Sequence, residues 1–229
     1  MAVAVCAIVL LPFLSLPVRA ADRLVVGDFS LGVNSLGVPE GWELKEKAGR
    51  AGLKVVEDDG VPAVRFQSTN ASFSLQREVK ANLGEYPILS WKWKVTQLPA
   101  GGDFRRSKTD DQAAQLFVAF NRRQTIVYMW DTTAPQGTIG DANAPPFMSI
   151  KVVVMRSAGG ETGKWLTEHR NVYDDYRKFF GPTDKPPVVT GIRLQINSQH
   201  TKTRAESCFA DVMFTKQMQA AIAPEDLGR

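Results

Sequence analysis

Asp110-Asp111, Asp131 and Asp174-Asp175 are the residues of this sequence whose type and grouping would suit acid–base chemistry. A glycoside-cleaving site needs two carboxyls about 5–10 Å apart, one to protonate a leaving oxygen and one to act as base or nucleophile. Neighbours on a strand point to opposite faces, so Asp110 and Asp111 are adjacent in sequence without being a pair in space. Plainer structural roles compete: a turn or strand-edge hydrogen bond for Asp110, a helix-dipole charge for Asp174. Asp110, Asp111, Asp131 and Asp174 stand as candidate catalytic carboxylates, provided that the fold makes them converge.

Other chemistries leave fewer traces. Asp28 and Asp211 flank the first and last predicted strands. If those strands pair, the two carboxylates would meet at a structural calcium, a hard ion that prefers oxygen ligands. His169 and His200 are the only histidines, and neither has a second His or Cys at the spacing of a zinc site. The sequence contains no Gly-rich phosphate loop, Gly-x-Ser-x-Gly elbow or Cys-x-x-Cys pair, and no cofactor is expected. Five tryptophans (Trp42, Trp91, Trp93, Trp130, Trp165) offer the flat apolar faces on which sugars stack. Trp91 and Trp93 share a strand face with Leu89 and Val95, which marks them as core. Trp130 ends an apolar strand just before Asp131-Thr132-Thr133, and Trp165 follows Gly163-Lys164, so both are predicted at a rim as ligand contacts. Lys92 and Lys94 point away from the tryptophan face, where an anionic ligand would meet them.

The elements that must position these residues are strands. Period-two alternation runs through Phe73-Leu75-Val79, Leu89-Trp91-Trp93-Val95 and Ile192-Leu194-Ile196. The runs 114–120, 125–130 and 149–155 are apolar on both faces and predict central strands. Asp59-Gly60 predicts a tight hairpin, because a primed turn needs positive φ. One segment, "NVYDDYRKFFG" (171–181), has helical spacing instead. Asn171 can cap it, Asp174 and Asp175 suit its positive end, and Gly181-Pro182 stops it. A dozen strands separated by turn residues predict an all-β fold. It is a two-sheet antiparallel, jelly-roll-like β-sandwich with one short amphipathic helix at about 171–180.

Two resemblances extend this. "LVVGDFSLGVNSLGVPEGWELK" and the late "ADVMF" resemble the opening and closing strands of jelly-roll carbohydrate-binding modules. The ordered set "ILSWKWKV", "KTDDQAAQLFVAF", "VYMWDTTAPQGT", "GKWLTEHRNVYDDYRKFFG" and "VTGIRLQINS…ESCFADVMF" is similar to a family of exported bacterial proteins catalogued as domain of unknown function 3047. That resemblance brings no activity with it.

The first 20 residues form an apolar run with no acid, ending at Val18-Arg19-Ala20, and resemble a secretory signal peptide. Pro12 and Pro17 break the run, so no stable membrane span is expected after cleavage. Residues 21–215 then form one β-sandwich domain, and 216–229 a polar tail. Loss of Arg19 lowers the formal net charge from +4 to +3. Such a mild charge, with export, excludes nucleic acid as a partner but suits a glycan or an anionic envelope polymer. The basic clusters Arg105-Arg106-Lys108 and Arg122-Arg123 read as solvated loops. With Cys6 in the signal, Cys208 is alone, so the core holds the fold without an intramolecular disulfide. The expected protein is a periplasmic or secreted, non-catalytic binder of a glycan or other envelope ligand. A polysaccharide-active enzyme and an envelope assembly protein are the alternatives. Cleavage after Ala20 or Ala21 is expected, and N-terminal sequencing of the exported protein checks it; a start at Met1 would show the leader retained.

Overall fold

The computed structural model describes residues 22–216. The proposed signal peptide and all but the first residue of the tail lie outside that range. Thirteen strands and one helix follow in order: β1 (Arg23–Gly27), β2 (Glu43–Ala48), β3 (Gly52–Asp58), β4 (Val61–Thr69), β5 (Ser72–Asn82), β6 (Ile88–Gln97), β7 (Ala114–Ala119), β8 (Gln124–Asp131), β9 (Ile139–Asp141), β10 (Ser149–Ser157), β11 (Leu166–Asn171), α1 (Val172–Phe180), β12 (Val188–Asn197) and β13 (Arg204–Thr215).

They form two sheets. One has the order β11-β6-β13-β4-β3, with β1 paired to the far end of β13; the other runs β2-β5-β12-β7-β8-β10-β9. The chain changes sheet from β1 to β2, β2 to β3, β4 to β5, β5 to β6, β6 to β7, β10 to β11, β11 to β12 and β12 to β13, so the two sheets are interleaved along the chain. The all-β sandwich matches the expectation from alternation, with one departure. β10 runs parallel to β8, from Ser149 opposite Gln124 to Ser157 opposite Asp131. A parallel pair needs a long return, and residues 132–148, including β9, provide it.

The local signals behave as their chemistry requires. Asp59 and Gly60 adopt φ of 53° and 75° in the β3–β4 hairpin, both in the left-handed region of a primed turn. The side chain of Asn171 accepts the Asp174 N–H at 3.1 Å, and Gly181 ends α1 with φ 87°. Tyr176 and Phe180 of α1 pack on Phe120, with ring centroids 4.7 and 6.1 Å away.

The core lies between the sheets. Leu89, Trp91, Trp93 and Val95 of β6 are all fully buried. Ile126, Tyr128 and Trp130 of β8 meet them from the other sheet. Trp91 stacks on Tyr128 at 5.4 Å, and Trp93 lies 6.0 Å from Trp130 and 6.3 Å from Phe209. Four of these rings carry a polar atom into the interior: those of Tyr128 and Trp93 are satisfied by ion-paired carboxylates and that of Trp130 by a backbone carbonyl, while the Trp91 indole N–H has no partner among the described residues. The Tyr128 hydroxyl donates to Asp175 at 2.6 Å, and Arg170 Nε donates to the same oxygen at 2.9 Å. Burial, with the neighbouring Asp175, pushes the Tyr128 phenol well above its usual range. Trp93 Nε1 donates to Glu168 at 3.1 Å, and Arg156 of β10 donates to that carboxylate at 2.7 Å.

Removing one member of such a buried pair leaves an uncompensated charge. Asp175→Ala is therefore expected to destabilise the fold by about 3–5 kcal/mol in urea denaturation. A loss below about 1 kcal/mol, the size of an ordinary surface change, would show that the network does not hold the helix to the sheet.

Candidate functional site

The outward face of the seven-stranded sheet is laid down in cross-strand rows. One row reads Glu43, Gln76, Arg193, Phe117, Val127, Val152, each opposite the next on the neighbouring strand. The row beside it reads Glu78, Gly191, Ala119, Thr125, Ile150. The residues change from polar to apolar across the sheet, and the two halves have different fates.

The apolar half is covered. Phe104, from the β6–β7 loop, packs with Val127, Met129, Val152 and Val154 into a second buried cluster. This explains why β8 and β10 are apolar on both faces. Gly140 of β9 admits the Phe104 ring: a Cβ there would lie 3.0 Å from it.

The polar half stays open. It forms a groove of about 740 Å³ lined by Trp42, Glu43, Gln76, Glu78, Phe117, Arg122, Thr125, Gly191 and Arg193 among others. That volume falls within the range of ligand pockets, about 300–1,000 Å³. Gln76 Nε2 donates to Glu43 at 2.7 Å. Lys45 also binds Glu43, and these two donors hold its exposed carboxyl below the usual range. The Arg193 guanidinium carbon sits 3.7 Å from the Phe117 ring centroid.

The acidic residues singled out from the sequence partly converge. Gln112 Nε2 lies 3.1 Å from Asp110 and 3.4 Å from Asp131. Asp111 is fully buried and accepts from Thr201 N at 2.6 Å, Thr201 Oγ1 at 2.8 Å and His200 N at 3.3 Å. Asp131, also fully buried, accepts from the N–H groups of Ala134 at 2.7 Å, Thr133 at 2.8 Å and Phe104 at 3.0 Å. The Asp111 and Asp131 carboxylates thus tie down three loops, and Asp131 fixes the loop that carries Phe104. None of Asp110, Asp111 and Asp131 lines the groove. Asp174 is apart from them, exposed on the first turn of α1.

Several other expectations are corrected. Trp130 is not at a rim: it is fully buried, and its indole N–H donates to Ala158 O at 3.0 Å. It shares the inward phase of Ile126 and Tyr128, which outweighs its place at the strand end. Lys94 faces outward as expected but is only 8% exposed. The β3–β4 hairpin brings Asp58 and Asp59 onto its ammonium, with Asp59 at 2.8 Å. Trp165 lies beside them, half-buried, donating to Asp58 O at 3.2 Å with Lys94 Nζ 5.8 Å from its ring. Lys92 pairs with Asp211 at 2.8 Å. These residues lie on the outer face of the other sheet and form no groove with one another. The first and last strands do pair, with Gly27 opposite Val212. Yet Asp28 takes the Ser30 N–H and hydroxyl, at 3.0 and 2.6 Å, while Asp211 takes Lys92. Each carboxylate is thus engaged by a partner of its own. Among the described residues, no three His, Cys, Asp or Glu side chains gather as a metal site requires.

Arg193, Phe117, Gln76, Glu43 and Glu78 escape sequence reasoning. The only signal is that Arg193 and Gln76 occupy outward positions of alternating strands.

A β-sandwich with an open groove on one sheet is thus the class that the fold defines. Residues 40–213 match the family described as "Protein of unknown function (DUF3047)", and the chain belongs to it. No curated protein matches. Among solved structures, the chain is similar to the family 11 carbohydrate-binding module of the cellulosomal cellulase Lic26A-Cel5E of Clostridium thermocellum. That match has 11% identity and a TM-score of 0.45 over 88% of this chain and 99% of that one. It is also similar to the xyloglucanase domain of NopAA from Sinorhizobium fredii, at 10% identity and TM-score 0.46 over 78% and 95%. A family 30 carbohydrate-binding module gives 13% identity and TM-score 0.43 over 89% and 92%. Among the described residues, no helix is long and apolar enough to cross a membrane.

Burial raises the Asp110 and Asp131 carboxyls above their usual range. The native state then holds their protons more tightly than the unfolded chain, so the stability they contribute is present at low pH. It is lost as pH rises through the raised native values, and the cost of burying the ionised form is complete at neutral pH. Asp110→Asn is expected to raise the unfolding midpoint at pH 7, with the gain shrinking as pH falls into the ordinary carboxylate range. A lowered midpoint at pH 7 in thermal melts would contradict this.

Proposed function

We propose that this protein is an exported, periplasmic or secreted, non-catalytic glycan-binding β-sandwich, and that the groove on the seven-stranded sheet is its binding site. The observation that carries the reading is the composition of that groove. Its lining sets amide, carboxyl, hydroxyl and guanidinium groups beside two aromatic residues, Phe117 and Trp42. Sugars need this mixture: hydrogen-bond partners for their hydroxyls and an apolar face for their C–H groups. Trp91, Trp93 and Trp130 do not serve this purpose, since all three are fully buried.

One observation favours a second reading, cleavage of the bound glycan. Glu43 and Glu78 both line the groove, and they are diagonal neighbours because Glu43 is opposite Gln76. Diagonal pairs on a sheet stand roughly 7–8 Å apart at Cα. The Glu43 carboxyl, held low by Lys45 and Gln76, suits a base or nucleophile but not an acid.

Gly191 allows a clean test. A Cβ there would meet only Arg77 O at 3.5 Å and Ala119 Cβ at 4.0 Å, ordinary contacts, and its side chain would fill the groove. On a glycan array, the wild type is expected to bind at least one polysaccharide class, and Gly191→Phe to lose that binding while keeping its melting temperature. Equal binding by both would move the site elsewhere. Release of reducing ends by the wild type, abolished in Glu78→Gln, would favour the enzymatic reading.

A further inference from the structure

Among the described residues, Arg193 has no counterion. A charge taken from water needs a partner, because desolvation costs several kcal/mol per ion even after the protein relaxes. Of the other half-buried arginines, Arg65 is paired to Asp58, Arg156 to Glu168 and Glu161, and Arg170 to Asp175, while Arg77, which also lines the groove, donates to the Val26 carbonyl at 2.6 Å. Among the described residues, Arg193 makes no ion pair, and its buried Nε has no hydrogen-bond partner. Desolvation lowers its pKa, and no acid opposes that shift.

Its position rules out an accident of packing. The guanidinium is held over Phe117 at 3.7 Å, on the groove floor. The ring supports one side of the guanidinium plane and leaves its edge N–H groups unused. Arg122, exposed and also without an ion pair among the described residues, lines the same groove beyond Thr125. The groove's carboxylates lie at its other end, on β2 and β5. Of these, Glu43 is already engaged by Lys45 and Gln76.

From this we infer that the groove takes an acidic glycan, one whose sugars carry a carboxylate or sulfate oxyanion, and that Arg193 receives that anion through its free edge. Arg122 receives a second anion further along the chain, and Glu43, Gln76 and Glu78 accept from or donate to neutral hydroxyls on the opposite side of Arg193. A guanidinium fork matches a carboxylate at two points, and the contact strengthens because the site is partly dry. A stacked, unpaired arginine is thus a preformed receptor: the ligand supplies the counterion that the fold withholds. The inference rests on the proposed glycan-binding reading and adds the ligand's charge to it.

The test is calorimetry with the purified protein and three probes: oligogalacturonate, a sulfated chondroitin oligosaccharide and neutral cello-oligosaccharide. Oligogalacturonate is expected to bind, more weakly as salt rises, and cello-oligosaccharide not to bind. Arg193→Gln is expected to lose about ten- to a hundredfold in affinity, as removal of a charged hydrogen-bond pair implies. Arg193→Lys should recover little, since it lacks the fork. Neither variant should melt lower than the wild type by more than a degree or two, because Arg193 offsets no buried charge. A drop of many degrees would instead make it a structural residue and overturn the inference. Preference for the sulfated probe, lost in Arg193→Gln, would support oxyanion capture with sulfate as the source. Binding of the neutral probe, unchanged in Arg193→Gln, would overturn the inference while leaving a glycan-binding groove in place. Binding of none of the three by wild type would count against both.

Discussion

The structure depends on keeping a few polar atoms satisfied inside an aromatic core. Rings this large are what close the space between the sheets, since Trp91, Trp93, Trp130 and Tyr128 meet there with Phe209. A phenol or an indole N–H left without a partner in a dry core costs free energy; the Trp91 N–H bears that cost, and Tyr128 and Trp93 are spared it. The partners come from far along the chain. Tyr128 reaches Asp175 on α1, and Trp93 reaches Glu168 on β11, whose charge Arg156 neutralises from the opposite sheet. This is why the helix lies where it does and why β11 borders β6. Without those carboxylates, the aromatic row would be a worse core than an aliphatic one.

The same requirement, applied to the outer face of the seven-stranded sheet, divides it. Val127, Met129, Val152 and Val154 cannot remain in water as one patch, so the β6–β7 loop lays Phe104 over them. Asp131 makes that covering rigid by accepting the Phe104 N–H. Where the rows turn polar, no cover is needed and the groove begins. The buried Asp111 and Asp131 carboxylates hold the loops on this side of the sheet through their N–H groups.

Much of this organisation was legible from phase alone. Trp91 and Trp93 read as core because Leu89 and Val95 share their face. The helix is legible because its cap, its charges and its stop are all local. A strand end next to a polar loop resembles a rim, but the phase of Trp130 with Ile126 and Tyr128 is the better guide. Lys94 faces outward as its phase requires, and the Asp59-Gly60 turn brings Asp58 and Asp59 onto it. Each local statement holds, and their combination gives the lysine two carboxylate partners.

The groove was not legible. Arg193 and Phe117 are 76 positions apart, and they touch only because β12 pairs with β7 in one particular register. The sequence by itself determined which residues alternate, which way they face within a strand, where the helix starts and stops, and that the chain is a β-sandwich. Those properties depend on neighbours a few residues away. Only the tertiary structure decided which strands adjoin, and so which outward residues form rows, which lysine is neutralised and which arginine is not. Register is set by packing across the whole core, and a shift of two residues along β12 would keep every alternation intact while removing Arg193 from Phe117.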